Sequence, residues 1–305
     1  VWAFLGKRLL YSAMALIGLT FAVFVLAFLS GSPARLYLPE GVPQSTIDLF
    51  NKQHGYDLPF YQQFVNFMLS VLHFDFGQSL VDGRPASTVI LDAFPDTIVI
   101  SVIALFISTA IGVTLGCIAA MKPFGAADKT ITFVTLGAGS FPDFWLALMG
   151  VLFFSVQLRI LPTSGQSGLS SWVLPVATLA IAPIGSLAQV ARGAMVDSLS
   201  AGYIQSARAR GYSKWRLTFR HALKNAALPI IPVAGNQAAR LFNGTVIVSI
   251  IFAWPGIGAV MVASVGNRDF PVLQAGVFLV GVSILLLNLV LDLTYSFVDP
   301  RIRVS

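Results

Sequence analysis

The sequence predicts an all-α integral membrane protein with six transmembrane helices, on three observations. Hydrophobic residues make up 56% of the 305-residue chain and charged residues only 10%, where soluble domains carry about 25% charged residues. That composition, with a mean hydropathy of +0.81, excludes a water-covered surface. Apolar segments recur at about 9–29, 97–121, 130–155, 173–195, 226–252 and 271–295, each long enough for the ~20 residues that a helical crossing needs. Lys and Arg residues, finally, are shared unevenly between alternate connections, as membrane topology demands.

Lys7 and Arg8 precede the first segment. No small-residue cleavage site follows and the run reaches about 20 residues, so it reads as a retained span rather than a signal peptide. The connection over 31–96 is acidic, with Glu40, Asp48, Asp57, Asp75, Asp82, Asp92 and Asp96 against three bases. It is long enough to hold a small cap, and the spacing of apolar residues from Phe60 to Phe74 predicts a short helix along the membrane surface. The lone cysteine, Cys117, falls in the second apolar run and reads as a small buried hydrophobe. With the N-terminus inside, the cytoplasmic stretches hold thirteen Lys and Arg residues: Lys7, Arg8, Lys122, Lys129, Arg192, Arg208, Arg210, Lys214, Arg216, Arg220, Lys224, Arg301 and Arg303. The external stretches hold only five, Arg35, Lys52, Arg84, Arg159 and Arg268. Both termini are then cytoplasmic, with 31–96 outside and 196–225 inside, and the chain reads as one membrane domain over 1–305.

Several chemistries are missing. There is no G-x-x-x-x-G-K-[ST] loop to cradle ATP phosphates. His54, His73 and His221 form no metal pair, no H-E-x-x-H is present, and no Ser or Cys nucleophile has a motif around it. No catalytic residue and no metal site are therefore assigned. The net charge of +6 reflects topology rather than nucleic-acid binding. A transporter that draws its energy from elsewhere fits best.

Two charges stand inside the membrane. Asp143 follows Pro142 in the third segment and Arg240 lies in the fifth, both about 20 Å from the cytoplasmic edge at 1.5 Å per residue. Buried ionisable groups are costly and usually face a cavity or each other. Two readings stay open: a structural ion pair between spans three and five, or path-lining charges that meet the two ends of a zwitterionic solute. Asn236, Arg240 and Asn243 share one helical face, and Gln237 is a further polar residue on that helix.

The richest stretch is Tyr203 to Pro229, YIQSARARGYSKWRLTFRHALKNAALP, with six bases and no acid. A short helix over 203–210, broken at Gly211 and resumed near Ser213, makes a compact elbow. By charge alone it serves either to dock a soluble partner or to enforce topology and meet anionic lipid. The pattern resembles the EAA loop of permease subunits of binding-protein-dependent ABC importers. Gln205, Ser206 and Ala207 stand at E-A-A, Gly211 at the glycine and Leu223 at the leucine, while Gln205, His221 and Lys224 depart from the acid, isoleucine and proline. FDFGQSL (74–80) with GRP (83–85), FAWPGIG (252–258), NRDFPVLQ (267–274) and the DPRIR ending (299–303) resemble the dipeptide/oligopeptide/nickel branch, permease B type.

The resemblance implies a type I ABC importer permease fold in the prokaryotic inner membrane, and a chain forming half of the path of a small solute. Gln205, Ser206, Ala207, Arg208, Arg210 and Gly211 would belong to the coupling helix that docks on the ATP-binding subunit. Trp254, Pro255 and Gly256 would face the extracytoplasmic solute-binding protein. Asn267, Arg268 and Asp269 would either do the same or cap the sixth span, where Asp292 reads as structural. Implied partners are a second permease, two ATP-binding subunits that carry ATP and Mg, and the binding protein, with no cofactor on this chain. The implied cargo is a di- or oligopeptide, with nickel chelates, glutathione and opine-like solutes as alternatives. An ion-gradient-driven transporter coupled through Asp143 is the rival class.

Overall fold

The computed structural model describes residues 2–32 and 34–298. The DPRIR ending lies outside the described residues, as do the side chains of Lys7 and Asp292. The described secondary structure is helical throughout, apart from one isolated bridge between Gln78 and Pro85. The helices in chain order are α1 (Trp2–Leu29), α2 (Ala34–Tyr37), α3 (Gln44–His54), α4 (Phe60–Leu72), α5 (Ala86–Ala120), α6 (Ala126–Gly139), α7 (Asp143–Gly150), α8 (Ser170–Ser200), α9 (Gly202–Ala209), α10 (Lys214–Arg216), α11 (Leu223–Ile251), α12 (Ile257–Gly266) and α13 (Phe270–Val298). Wide, π-type turns extend α7 over Val151–Gln157 and lead into α11 over Leu217–Ala222.

Helices α1, α5, α8 and α13 are long and apolar enough to cross a membrane. The expected span over 130–155 is bent: α6 and the helix over Asp143–Gln157 meet at 96°. The break has a local cause. Pro142 has no N–H to give and disfavours helical φ/ψ at Phe141, and Pro142 is itself extended (ψ 143) before α7 begins. Helix α11 has 29 residues, but Asn236, Gln237, Arg240 and Asn243 dilute its apolar character and it is not among the four.

The chain divides into two compact units. The first comprises Val1–Pro95 and Gly256–Leu286. Its core gathers Val71, Phe76, Ala86, Ile90, Ile257, Val272 and Ala275. Aromatic rings join α1 to α4: Phe24 lies 5.3 to 5.5 Å from Phe60, Phe64 and Phe67 between centroids, spacings at which ring edges and faces attract. The predicted surface helix is α4, which starts after Pro59 as expected of a residue fixed in extended geometry. Residues of α1, α3 and α4 help to enclose a cavity of about 860 Å³ in this unit.

The second unit comprises Asp96–Pro255 and Leu287–Ser305, and α8 is its central element. Lipid tails are as apolar as Leu, so helices in a membrane associate by close packing rather than by burial from water. Gly116 of α5 meets this need: a Cβ there would stand 2.6 Å from both Ala188 O and Ala191 Cβ of α8. Gly185 does the same between α8 and Thr135 of α6. An ion pair absent from the sequence reading locks that contact further. Asp128, buried at the start of α6, accepts two bonds from the Arg192 guanidinium of α8 and one from the Phe124 N–H at 2.7 Å. Removing one partner of such a pair leaves an uncompensated charge and costs about 3–5 kcal/mol.

Candidate functional site

The elbow begins where Ala201, in extended conformation (φ −67, ψ 149), turns the chain out of α8. Ser198 Oγ donates to Ala222 O at 2.9 Å in the interior and so ties the end of α8 to the turn entering α11. Between these points α9 is held by Ile204, which is 0% exposed. It packs in a core with Cys117, Leu187, Met195, Leu217 and Ala222, and Cys117 is the buried hydrophobe that its apolar run predicts. The opposite face of α9 is open: Gln205, Ser206, Arg208 and Arg210 are exposed, and only Ala207 is half-buried.

Gly211 ends the helix with φ +81, and a Cβ there would meet nothing within 4 Å. Glycine is thus required by the left-handed backbone and not by crowding. Ser213 caps α10 by accepting the Arg216 N–H at 3.4 Å. Arg216 lies 4.6 Å above the Tyr212 ring, which stacks on His221 at 5.3 Å. Lys214, Arg220 and Lys224 remain exposed. The elbow is an apolar-anchored knob with a basic outer surface.

The two charges expected inside the membrane converge. Asp143 stands first in α7, half-buried, and Arg240 is exposed on α11. Both line one recess of about 30 Å³ with Leu179, Ala182 and Pro183 of α8 and Gln237, Leu241 and Gly244 of α11. They are close enough to act on each other electrostatically, yet among the described residues they form no direct ion pair. Asn236 and Asn243 are exposed beside Arg240. Gln237, in the same lining, is held more tightly: it is 4% exposed and its Nε2 donates to Ser186 Oγ at 3.0 Å.

The 252–258 turn corrects part of the expectation. Trp254 is 1% exposed and meets Trp172 edge-on at 4.6 Å, while Phe252 O accepts the Gly165 N–H at 2.8 Å. Gly256 is buried as well, so of the three residues expected to face the binding protein only Pro255 is exposed. A large ring gains more from packing against a neighbouring aromatic than from standing in the open. Asp269 is likewise 2% exposed. It accepts from Ser79 Oγ at 2.5 Å and from the Val272 N–H at 3.5 Å, in the manner of a helix cap for α13. Asn267 and Arg268 are exposed. The FDFGQSL and NRDFPVLQ motifs, separate in sequence, are therefore joined by the Ser79–Asp269 bond. No spacing signal could have revealed a contact across 190 residues.

Comparison with known proteins follows the same lines. The family of binding-protein-dependent transport system inner membrane components matches residues 112–304. The glutathione transport system permease protein GsiC of Escherichia coli (strain K12) is 35% identical over 302 residues, covering 97% of each chain. The oligopeptide transport system permease protein AppB of Bacillus subtilis (strain 168) is 32% identical over 313 residues, covering 99% of each. In fold, the chain is similar to one from the inward-facing MetNI methionine ABC transporter, with TM-score 0.58 at 16% identity over 69% of this chain and 96% of that one. A chain of an amino acid ABC transporter gives TM-score 0.52 at 17% identity over 68% and 93%.

Proposed function

The chain belongs to the family of binding-protein-dependent transport system inner membrane components, and from that premise we propose that its cargo is a di- or oligopeptide. It is a permease subunit of an ABC importer in the bacterial inner membrane, a transport component and not an enzyme. Membership implies ATP-binding and permease partners and a binding protein. In our reading these are one further permease, two ATP-binding subunits that bind ATP and Mg, and an extracytoplasmic protein that delivers the solute. The chain crosses the membrane six times with both termini in the cytoplasm. The bent α6–α7 pair makes the third crossing, and α11 makes the fifth, with its polar stripe turned to the path. The names of the relatives favour peptide cargo, since one is a glutathione permease and the other an oligopeptide permease. Asp143 and Arg240, sharing one recess, suit a solute with a charge at each end.

The observation that carries the coupling role is the elbow. Its inner side is bound into the core through Ile204, and its outer side offers Gln205, Ser206, Arg208 and Arg210 with no acidic neighbour on α9. A knob so anchored can transmit displacement of a docked ATPase to α8 and α11 without deforming. Pull-down from native membranes in mild detergent, with mass spectrometry, tests the proposal. The wild type should bring down ATP-binding subunits and a second permease. Gly211→Pro, whose ring cannot adopt φ +81, should lose most of the ATP-binding subunits while keeping its fold. Recovery of the wild-type chain alone, intact, would refute the assembly.

A further inference from the structure

The recess between α7, α8 and α11 holds an unresolved demand for a hydrogen-bond donor. Gln237 Nε2 is spent on Ser186 Oγ, but the buried Oε1 accepts from no protein group among the described residues. Burying an amide oxygen without a donor is costly, and here it occurs on α11, the fifth crossing in the reading above. Asp143, in the same recess, carries an acceptor-only carboxylate with no direct ion pair to Arg240. Its Oδ2 lies 3.9 Å from where a Gly244 Cβ would stand, so the absence of a side chain at 244 keeps the floor of the recess clear. The space, about 30 Å³, is the share of one water molecule and equally of one –NH3 group.

We propose that this recess is the amine subsite of the path: it takes the primary ammonium end of the cargo, with Asp143 as counter-charge and Gln237 Oε1 as second acceptor. The assignment rests on the peptide reading above and deepens it. A primary ammonium has three N–H donors and no acceptor, the complement of a site with two acceptors and one negative charge. Arg240, exposed at the mouth, is left to meet the cargo's carboxylate, for which a guanidinium fork is suited. Recess and zwitterion are each formally neutral, so cargo enters without adding net charge to a low-dielectric region. Gln237 thereby becomes a specificity residue, selecting for a free amine.

The test uses the assembled importer in proteoliposomes, with L-alanyl-L-alanine and its N,N-dimethyl derivative as probes. Each rate is normalised to wild type on the same cargo, so that the binding protein's own preference cancels. Gln237→Met removes the acceptor at similar volume. It should lower import of the free-amine dipeptide about tenfold and that of the N,N-dimethyl cargo, whose single N–H goes to Asp143, far less. Gln237→Glu, which keeps an acceptor, should retain the preference for the primary amine. Gln237→Met also gives up the bond from Nε2 to Ser186 Oγ, and Ser186→Ala, which removes that bond alone, should leave the cargo preference as in wild type. Equal losses on both cargoes, or no loss on either, would overturn the amine subsite while leaving the peptide reading in place. Import of neither dipeptide by the wild type would overturn both.

Discussion

The elbow around Gly211 and the turn around Trp254 are both glycine-bearing breaks between long helices, and they spend their signature residues in opposite ways. At the elbow the anchoring residue is a generic apolar one, Ile204, while the distinctive residues Gln205, Arg208 and Arg210 face outward. At the turn the distinctive residue goes inward: Trp254 packs on Trp172, and Gly256 is covered. A motif whose polar members are exposed on a firmly held backbone is available to a partner. One whose members are buried serves the fold, and any contact there falls to Pro255, Asn267 and Arg268.

The contrast should appear first as stability. Trp254→Ala empties a packed site and should cost about 3–5 kcal/mol, read as a large drop in melting temperature of the purified complex. An unchanged melting temperature with loss of binding-protein affinity would reverse the assignment. Asp269→Ala should come next. It strands Ser79 Oγ and removes the cap of α13, and about 1–3 kcal/mol is expected. Thermal unfolding checks it, and Ser79→Ala in the same cycle should be less than additive because the two side chains share one bond. Arg208→Gln with Arg210→Gln should leave the melting temperature where it was, both side chains being exposed. The same pair should weaken capture of ATP-binding subunits about tenfold, an effect that fades as salt is raised. Asn267→Ala should be smallest, without effect on melting and with a modest loss in binding-protein affinity measured at low salt. If the Arg208 and Arg210 changes unfolded the protein while Trp254→Ala did not, the distinction between the two breaks would be lost.

Much of the protein was legible in its residues because lipid imposes strong one-dimensional rules. Composition and run length marked the four helices long and apolar enough to cross, α1, α5, α8 and α13. The basic stretch marked the elbow, and its break fell at Gly211 because only glycine takes φ +81 without strain. The shared face of Asn236, Arg240 and Asn243 followed from helical spacing, and all three are exposed together. Other features needed the fold. The resemblance implies a Trp254 turned toward the binding protein, whereas its ring packs inward on Trp172, a contact that no local pattern specifies. Run length joined 130–155 into one span, whereas α6 and the helix after Pro142 meet at 96°, an angle that depends on what each packs against. Asp128 with Arg192, Ser79 with Asp269, and the unpaired oxygen of Gln237 are contacts or failures of contact between segments distant in sequence. Helical period assigns residues to a face of their own helix. Which neighbour covers that face, and whether a buried polar atom finds its partner there, is settled only when the helices pack.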